Sequence, residues 1–252
     1  MVLKSLFSRK APTAPPPRVV APGERIYAIG DIHGRRDCLD DLLIRIGEDD
    51  RARGPAKTTL VLLGDLVDRG PDSRGVIERL LQLAALRPCV FLMGNHEEVF
   101  IDAWEGDEGA GRLFHRIGGR ETLLSYGVAP GDYDAADFPR LLELLAQNVP
   151  VEHIAFLRGF HDTWRSGDYL FVHAGIRPGT PIEEQRPADM RWIRDRFLDD
   201  PRDHGVVVVH GHSITAAVED LPNRIGIDTG AYASGKLTAV ALEGTERWFI
   251  ST

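Results

Sequence analysis

The stretch Ile26-Tyr27-Ala28-Ile29-Gly30-Asp31-Ile32-His33-Gly34 decides the fold. An unbroken apolar run with β-branched residues suits a short buried strand, and the glycine after it lets the chain turn. The turn leaves an aspartate and a histidine at the strand's end, and Cys38 to Ile46 then sets Leu39, Leu42, Leu43 and Ile46 at helical spacing. The unit recurs. Leu60-Val61-Leu62-Leu63 ends in Gly64-Asp65 before a helical pattern from Val76 to Leu86; Val90-Phe91-Leu92-Met93 ends in Gly94-Asn95, again with a helix to follow. Short, wholly apolar strands alternating with helices predict an α/β protein whose sheet is covered on both faces.

Working outward, residues 97–166 hold no strand-like run and several helical patches, such as Leu141-Leu142-Leu144-Leu145, which predicts a helical insertion. Strands resume at Tyr169-Leu170-Phe171-Val172, Val206-Val207-Val208-Val209, Arg224-Ile225-Gly226-Ile227, Thr238 to Leu242 and Trp248-Phe249-Ile250. Short turns between the last of these make part of this half antiparallel, giving an α/β sandwich of one mixed sheet or two. Residues 25–252 read as a single domain. Residues 1–24 stand apart: Lys4, Arg9 and Lys10 around Leu3, Leu6 and Phe7, then a proline-rich run to Pro17. That composition favours an unpacked tail, with a surface-docking helix as the alternative. It has neither the apolar core nor the cleavage site of a signal peptide, and no segment approaches the ~20 apolar residues of a membrane span.

Among 252 residues there are 38 acidic and 30 basic side chains, a net charge of −8, which argues against a general nucleic-acid or anionic-membrane binder. Two cysteines, Cys38 and Cys89, point to a reducing, cytoplasmic setting without a disulfide framework. Nine histidines in an acidic chain make metal chemistry possible.

Several apolar runs end in a residue able to bind a metal: Asp31 and His33, Asp65, Asn95 and His96, His173, His212. In α/β sheets ligands bind beyond the carboxyl ends of the strands, so these ends point to one shared site. Imidazole, carboxylate and amide donors without thiolate suit Mn, Fe, Zn or a similar ion in a catalytic role. The set exceeds what one tetrahedral ion accepts; two ions about 3.5–4 Å apart, bridged by one aspartate, use it fully.

In Gly30-Asp31-Ile32-His33-Gly34, Gly64-Asp65-Leu66-Val67-Asp68-Arg69-Gly70 and Gly94-Asn95-His96-Glu97 the chain resembles the calcineurin-like metallophosphoesterases. Within them it resembles the phosphoprotein phosphatases, closer to the short bacterial and bacteriophage members. The likeness extends to Val172-His173-Ala174-Gly175, Trp192-Ile193-Arg194, Val209-His210-Gly211-His212-Ser213 and Ile227-Asp228-Thr229-Gly230-Ala231. It implies a sandwich of two mixed sheets flanked by helices. It also implies two divalent ions, Mn2+ foremost with Fe, Zn, Mg or Ni as options. Asp31, His33 and Asp65 would hold the first; the bridging Asp65 with Asn95, His173 and His212 would hold the second. The implied reaction is direct attack of a dimetal-bridging hydroxide on a phosphoserine or phosphothreonine, with His96 as general acid, Asp68 orienting it, and Arg69 and Arg194 binding the phosphoryl oxygens. No obligate regulatory subunit is implied.

The same resemblance leaves a rival, the symmetrical dinucleoside polyphosphate hydrolases, which share the core motifs but usually carry tryptophan where Ser213 stands. Gly118 to Gly127 and Trp192-Ile193-Arg194 look more like bacterial protein phosphatases. A non-catalytic phosphoprotein-binding module is disfavoured by the complete residue set, and a phosphodiesterase would need a wider pocket. Glu97 reads as support for the site or as a helix-start acid. Asp228 reads as support for a ligating histidine or as a turn opener, and Arg35 and Arg36 as substrate contacts or solvated arginines. Trp192, His115, His153, His161 and His204 read as core or surface residues; His210 lies on the same side as His212 and is an alternative ligand, but the resemblance places that role on the histidine after glycine.

Overall fold

The computed structural model describes residues 17–252. Two five-stranded sheets stack face to face. The chain starts with β1 (Glu24–Ile29), α1 (Arg36–Ala52), β2 (Lys57–Leu62), α2 (Ser73–Ala84) and β3 (Cys89–Phe91). Helices α3 (Asn95–Trp104), α4 (Glu108–Ile117), α5 (Gly119–Ser125), α6 (Pro130–Asp134), α7 (Phe138–Asn148) and α8 (Val151–Arg158) follow. Then come β4 (Thr163–Ser166), β5 (Tyr169–Val172), α9 (Pro187–Trp192), α10 (Asp195–Leu198), β6 (Val207–His210), β7 (Glu219–Asp220), β8 (Arg224–Gly226), α11 (Ala231–Ser234), β9 (Thr238–Glu243) and β10 (Glu246–Ser251).

The first sheet runs β10-β9-β1-β2-β3 and the second β4-β5-β6-β8-β7. The central pairs β1–β2, β2–β3, β5–β6 and β6–β8 are parallel, while the edge strands β10, β4 and β7 join antiparallel, as does β9 beside β1. Strand alternation divides the core. Ile26, Ala28, Val61, Leu63 and Val240 face Phe171, Val207, Val209 and Ile225 between the sheets. Their neighbours Tyr27, Ile29, Leu60 and Leu62 face outward against Leu39, Leu42 and Ile46 of α1 and Val76, Ile77 and Leu80 of α2. On the far side Leu170, Val172, Val206 and Val208 pack against Met190, Ile193 and Phe197. Each fully buried side chain of this kind is worth about 1.5–3 kcal/mol, which is why both faces of these runs had to be apolar.

Two boundaries differ from the sequence pattern. Thr163–Ser166 is a strand although it lacks an apolar run, because a tight turn at Gly167 folds it back on β5 at the sheet edge, where polar side chains reach solvent. Of the tail expected to reach residue 24, residues 1–16 lie outside the described residues. Val19 and Val20 are bonded to Asp168 and Gly244, with Val20 buried in the core between the sheets, so packing begins before β1.

Candidate functional site

The carboxyl ends of β1, β2, β3, β5 and β6 open on one side of the sandwich. Ile32 N and His33 N both donate to Asp65 O, at 3.0 and 2.9 Å, and Gly34 N donates to Leu66 O at 2.8 Å, stitching the first two loops together. The non-glycine residues with left-handed backbone among those described are His33, Asp65, Asp68, Arg69 and His212, all of them in these loops. Such strain, of order 1–3 kcal/mol per residue, persists only where the surroundings impose it. The flanking glycines are required by contact: a Cβ on Gly94 would overlap the Asp65 side chain, and one on Gly211 would overlap the Asp31 carboxylate.

Asp65 lies at the centre. Its Oδ1 accepts from His96 N at 3.1 Å and lies 3.3 Å from His173 Nε2; its Oδ2 is 3.6 Å from His33 Nε2 and 3.9 Å from His96 Nε2. Two groups of donors therefore share it: His33, Asp65 and His96 on one side, Asp65, His173 and His212 on the other, with ligand atoms within 4.8 Å of one another in each. Asn95 Oδ1 meets His173 Nε2 at 3.0 Å. Asp31 reaches the same floor, where both of its oxygens accept from His212 N at 3.1 and 3.0 Å.

The imidazoles are set up as ligands. His33 Nδ1 donates to Val67 O and His173 Nδ1 to Leu63 O, each at 2.8 Å, which leaves the Nε2 lone pairs facing the pocket. His212 Nε2 is buried without a hydrogen-bond partner among the described residues. Burial drives all three toward the neutral form, His33 down to about 3, His212 to about 2, and His173 below the usual histidine range. Asp65 is held ionised against the cost of its burial by His173, His96, His33 and His212. Asp31 is pushed well up by burial and by Asp228 and Asp65, Glu97 up to about 7 and Asp228 up to about 6, both chiefly by burial. Imidazole lone pairs aimed into a buried cluster of carboxyl groups fit divalent cations.

A second constellation adjoins the first. His96 Nδ1 donates to Asp68 Oδ2 at 2.7 Å, and Asp68 Oδ1 accepts from Thr122 Oγ1 at 2.6 Å. Ser73 Oγ and Thr122 Oγ1 also take the Asp68 amide, at 3.0 and 2.9 Å. Burial lowers the His96 pKa, but Asp65 and Asp68 outweigh it and leave the pKa raised. Arg69 spreads its guanidinium between His33 Nε2 and His96 Nε2, at 3.0 Å from each, with Tyr232 beside it. Arg194 is exposed at the rim, and its charge bears on His173 and His212.

Of the two sequence readings of Glu97, support for the site holds: it accepts from Asp65 N, Leu66 N and Gly94 N at 2.8, 2.7 and 3.1 Å, so it organises two of the loops. Thr122 and Ser73 carry no local signal, because a helical hydroxyl looks alike whatever it touches. Arg35 and Arg36 turn to Asp37 and Asp40, and His115 and His153 to Tyr133 and Tyr126. Asp228 takes Gly230 N at 2.9 Å in its own turn.

The profile of the calcineurin-like phosphoesterases matches residues 24–237, and the chain belongs to that family. It is 28% identical over 228 residues to serine/threonine-protein phosphatase 1 of Salmonella typhimurium, covering 86% of this chain and 92% of that one. It is 26% identical over 240 residues to the asymmetrical bis(5'-nucleosyl)-tetraphosphatase PrpE of Anoxybacillus flavithermus, covering 84% and 88%. A symmetrical bis(5'-nucleosyl)-tetraphosphatase of an Acidovorax strain is 35% identical over 160 residues, 63% of this chain. The chain spans about half the length of these symmetrical relatives, 47%.

Proposed function

We propose that the protein is a metal-dependent phosphomonoesterase acting on phosphoserine and phosphothreonine in proteins. Asp31, His33 and Asp65 would hold one divalent ion and Asp65, Asn95, His173 and His212 a second, with manganese the proposed metal. When bound, the ions supply Lewis-acid activation of water and of the phosphoryl oxygens. The chain's own residues do the rest. Arg69 moves from the two imidazoles onto the phosphoryl group, where its planar fork pairs with two oxygens, and Arg194 closes on the same charge from the rim. That movement frees His96 Nε2 to carry a proton, stabilised through Nδ1 by Asp68. Free Cys38 and Cys89 fit a reducing cytoplasm.

The observation that carries this reading is the His96–Asp68 contact of 2.7 Å at the site floor. A serine or threonine alkoxide is a poor leaving group and needs a proton in the transition state; a nucleotide or phosphate leaving group needs far less help. His96→Asn should lower kcat on a phosphoserine peptide by about 10²–10³-fold and much less on p-nitrophenyl phosphate. Equal losses on both substrates refute the acid role. A second reading, hydrolysis of a dinucleoside polyphosphate, is favoured by two of the relatives just named. Diadenosine tetraphosphate assayed beside the phosphopeptide decides: faster cleavage of the dinucleotide by the wild-type protein overturns the protein-phosphatase reading.

A further inference from the structure

The Arg194 side chain makes no hydrogen bond or ion pair among the described residues; its carbonyl accepts from Phe197 N and Leu198 N at 2.7 and 3.1 Å, so its position rests on its backbone, the segment before it included. That backbone is clamped. Helix α9 ends in Arg191 and Trp192, and both reach the same carboxylate: Arg191 Nη1 donates to Glu98 Oε1 at 2.7 Å and Trp192 Nε1 to Glu98 Oε2 at 2.6 Å. Arg191 Nε also donates to Asp162 at 2.7 Å. Glu98 stands on α3, the helix that opens with Asn95 and His96. Asp162 follows His161, whose backbone is bonded to Phe91 and Met93 at the end of β3.

The apolar side chains divide in the same way. Trp192 packs against the core of the first sheet and its helices, whereas Met190 and Ile193 pack beneath the second sheet. Met190 O accepts from Ala174 N at 2.8 Å, directly after His173. Helix α9 is thus fastened to both halves of the sandwich, and Glu98 uses both of its oxygens to do it. A helix-start acid interacting only with the dipole would not need either bond.

We propose that Glu98 is a positioning residue: through Arg191 and Trp192 it fixes α9 so that Arg194 stands over the site ready for phosphoryl oxygens. This rests on the phosphomonoesterase reading above. Without the clamp the segment around Arg194 must be ordered each time phosphate binds, and that cost falls on affinity rather than on the chemical step.

The test uses the manganese-loaded full chain and p-nitrophenyl phosphate. In Glu98→Ala, KM should rise about tenfold with kcat within about threefold, and the inhibition constant of inorganic phosphate should rise in parallel. Trp192→Phe keeps an aromatic side chain but removes the indole N–H and part of the ring, and should raise KM about threefold; Glu98→Gln should recover part of the Glu98→Ala loss. In an Arg194→Ala background, Glu98→Ala should add no further loss, since the two act through one guanidinium. Additive losses overturn the proposal, as do unchanged KM and phosphate inhibition in Glu98→Ala and Trp192→Phe. Should the wild-type protein fail to turn over phosphomonoesters, the functional reading falls; phosphate affinity by titration calorimetry in wild type and Glu98→Ala then decides the clamp separately.

Discussion

The two ends of β1 both bury charge, and they do it in opposite ways. At the amino end Arg25 is 1% exposed, yet its guanidinium is fully matched: Nε to Glu243 at 2.8 Å, Nη1 to the Asp50 carboxylate at 2.8 Å and to Gly54 O at 3.0 Å. Nearby, Asp49 takes the hydroxyl of Tyr27 at 2.6 Å and the indole N–H of Trp248 at 3.1 Å. At the carboxyl end, a few residues along, Asp31, Asp65, Asp228 and Glu97 crowd together with imidazoles forced neutral, and the backbone takes left-handed turns at His33 and Asp65. One network closes on itself and leaves nothing for a ligand; the other leaves lone pairs and negative charge unmatched. The same strands support both. The amino end fastens α1 and β9 to β1, and the carboxyl end is where that rigidity is used to hold strained loops.

This contrast is testable by breaking each end in turn. The largest effect should be Asp65→Asn, which removes the charge that both donor groups share: turnover of a phosphomonoester should fall by about 10³-fold or more, since several kcal/mol of electrostatic stabilisation go with it. Because burial and the neighbouring Asp31 and Glu97 carboxyls oppose the charge that the histidines favour, the variant should melt within a few degrees of wild type. A melting point lowered as far as in the Arg25 variant would break the contrast. The converse is Arg25→Met, which leaves Glu243 without its guanidinium and Asp50 with only the Thr58 hydroxyl at 2.7 Å and Arg87 at 3.8 Å. Both partners are partly exposed, so the expected loss is on the order of 3 kcal/mol in urea unfolding, at the low end for a broken buried pair. In the folded protein kcat/KM should stay within about twofold of wild type.

What the sequence showed in advance follows the same division. The apolar runs at 26–29 and 60–63 and the polar residues just after them were legible, because burial on both faces and a turn at glycine each leave a local mark. Strand β2 nonetheless starts three residues early, at Lys57: Lys57, Thr58 and Thr59 pair in register with Glu24, Arg25 and Ile26, an ordering set by the neighbouring strand rather than by their own character. The edge strands β4 and β7 were invisible for the same reason. At the site, ligand-type side chains stood out by type, whereas Thr122, Ser73 and Glu98 act only through partners distant in sequence. Arg25 carries no local mark of its burial; the return of β9 beside β1 and the end of α1 together enclose it.

The smallest prediction concerns the rim of the closed end. Glu24, the first residue of β1, accepts Lys57 Nζ at 2.9 Å and Ser166 Oγ at 2.6 Å, and so ties β1 to the second sheet through β4. The Ser166 and Lys57 bonds, in that order, hold its carboxyl below the usual glutamate range. A carboxyl whose folded pKa is depressed adds stability that is fully present above the unfolded value and is lost as pH falls through the folded one. Lys57 is largely exposed and screened, so Glu24→Gln should cost only about 0.5–1 kcal/mol at neutral pH. The gap between wild type and variant, followed by urea unfolding across an acid series, should shrink below the ordinary glutamate range while kcat/KM at neutral pH is unaffected. A gap that persists in acid would mean that the Glu24 contacts act by shape rather than charge. A fall in kcat/KM would mean that the two ends of β1 are coupled and that the closed network also tunes the open one.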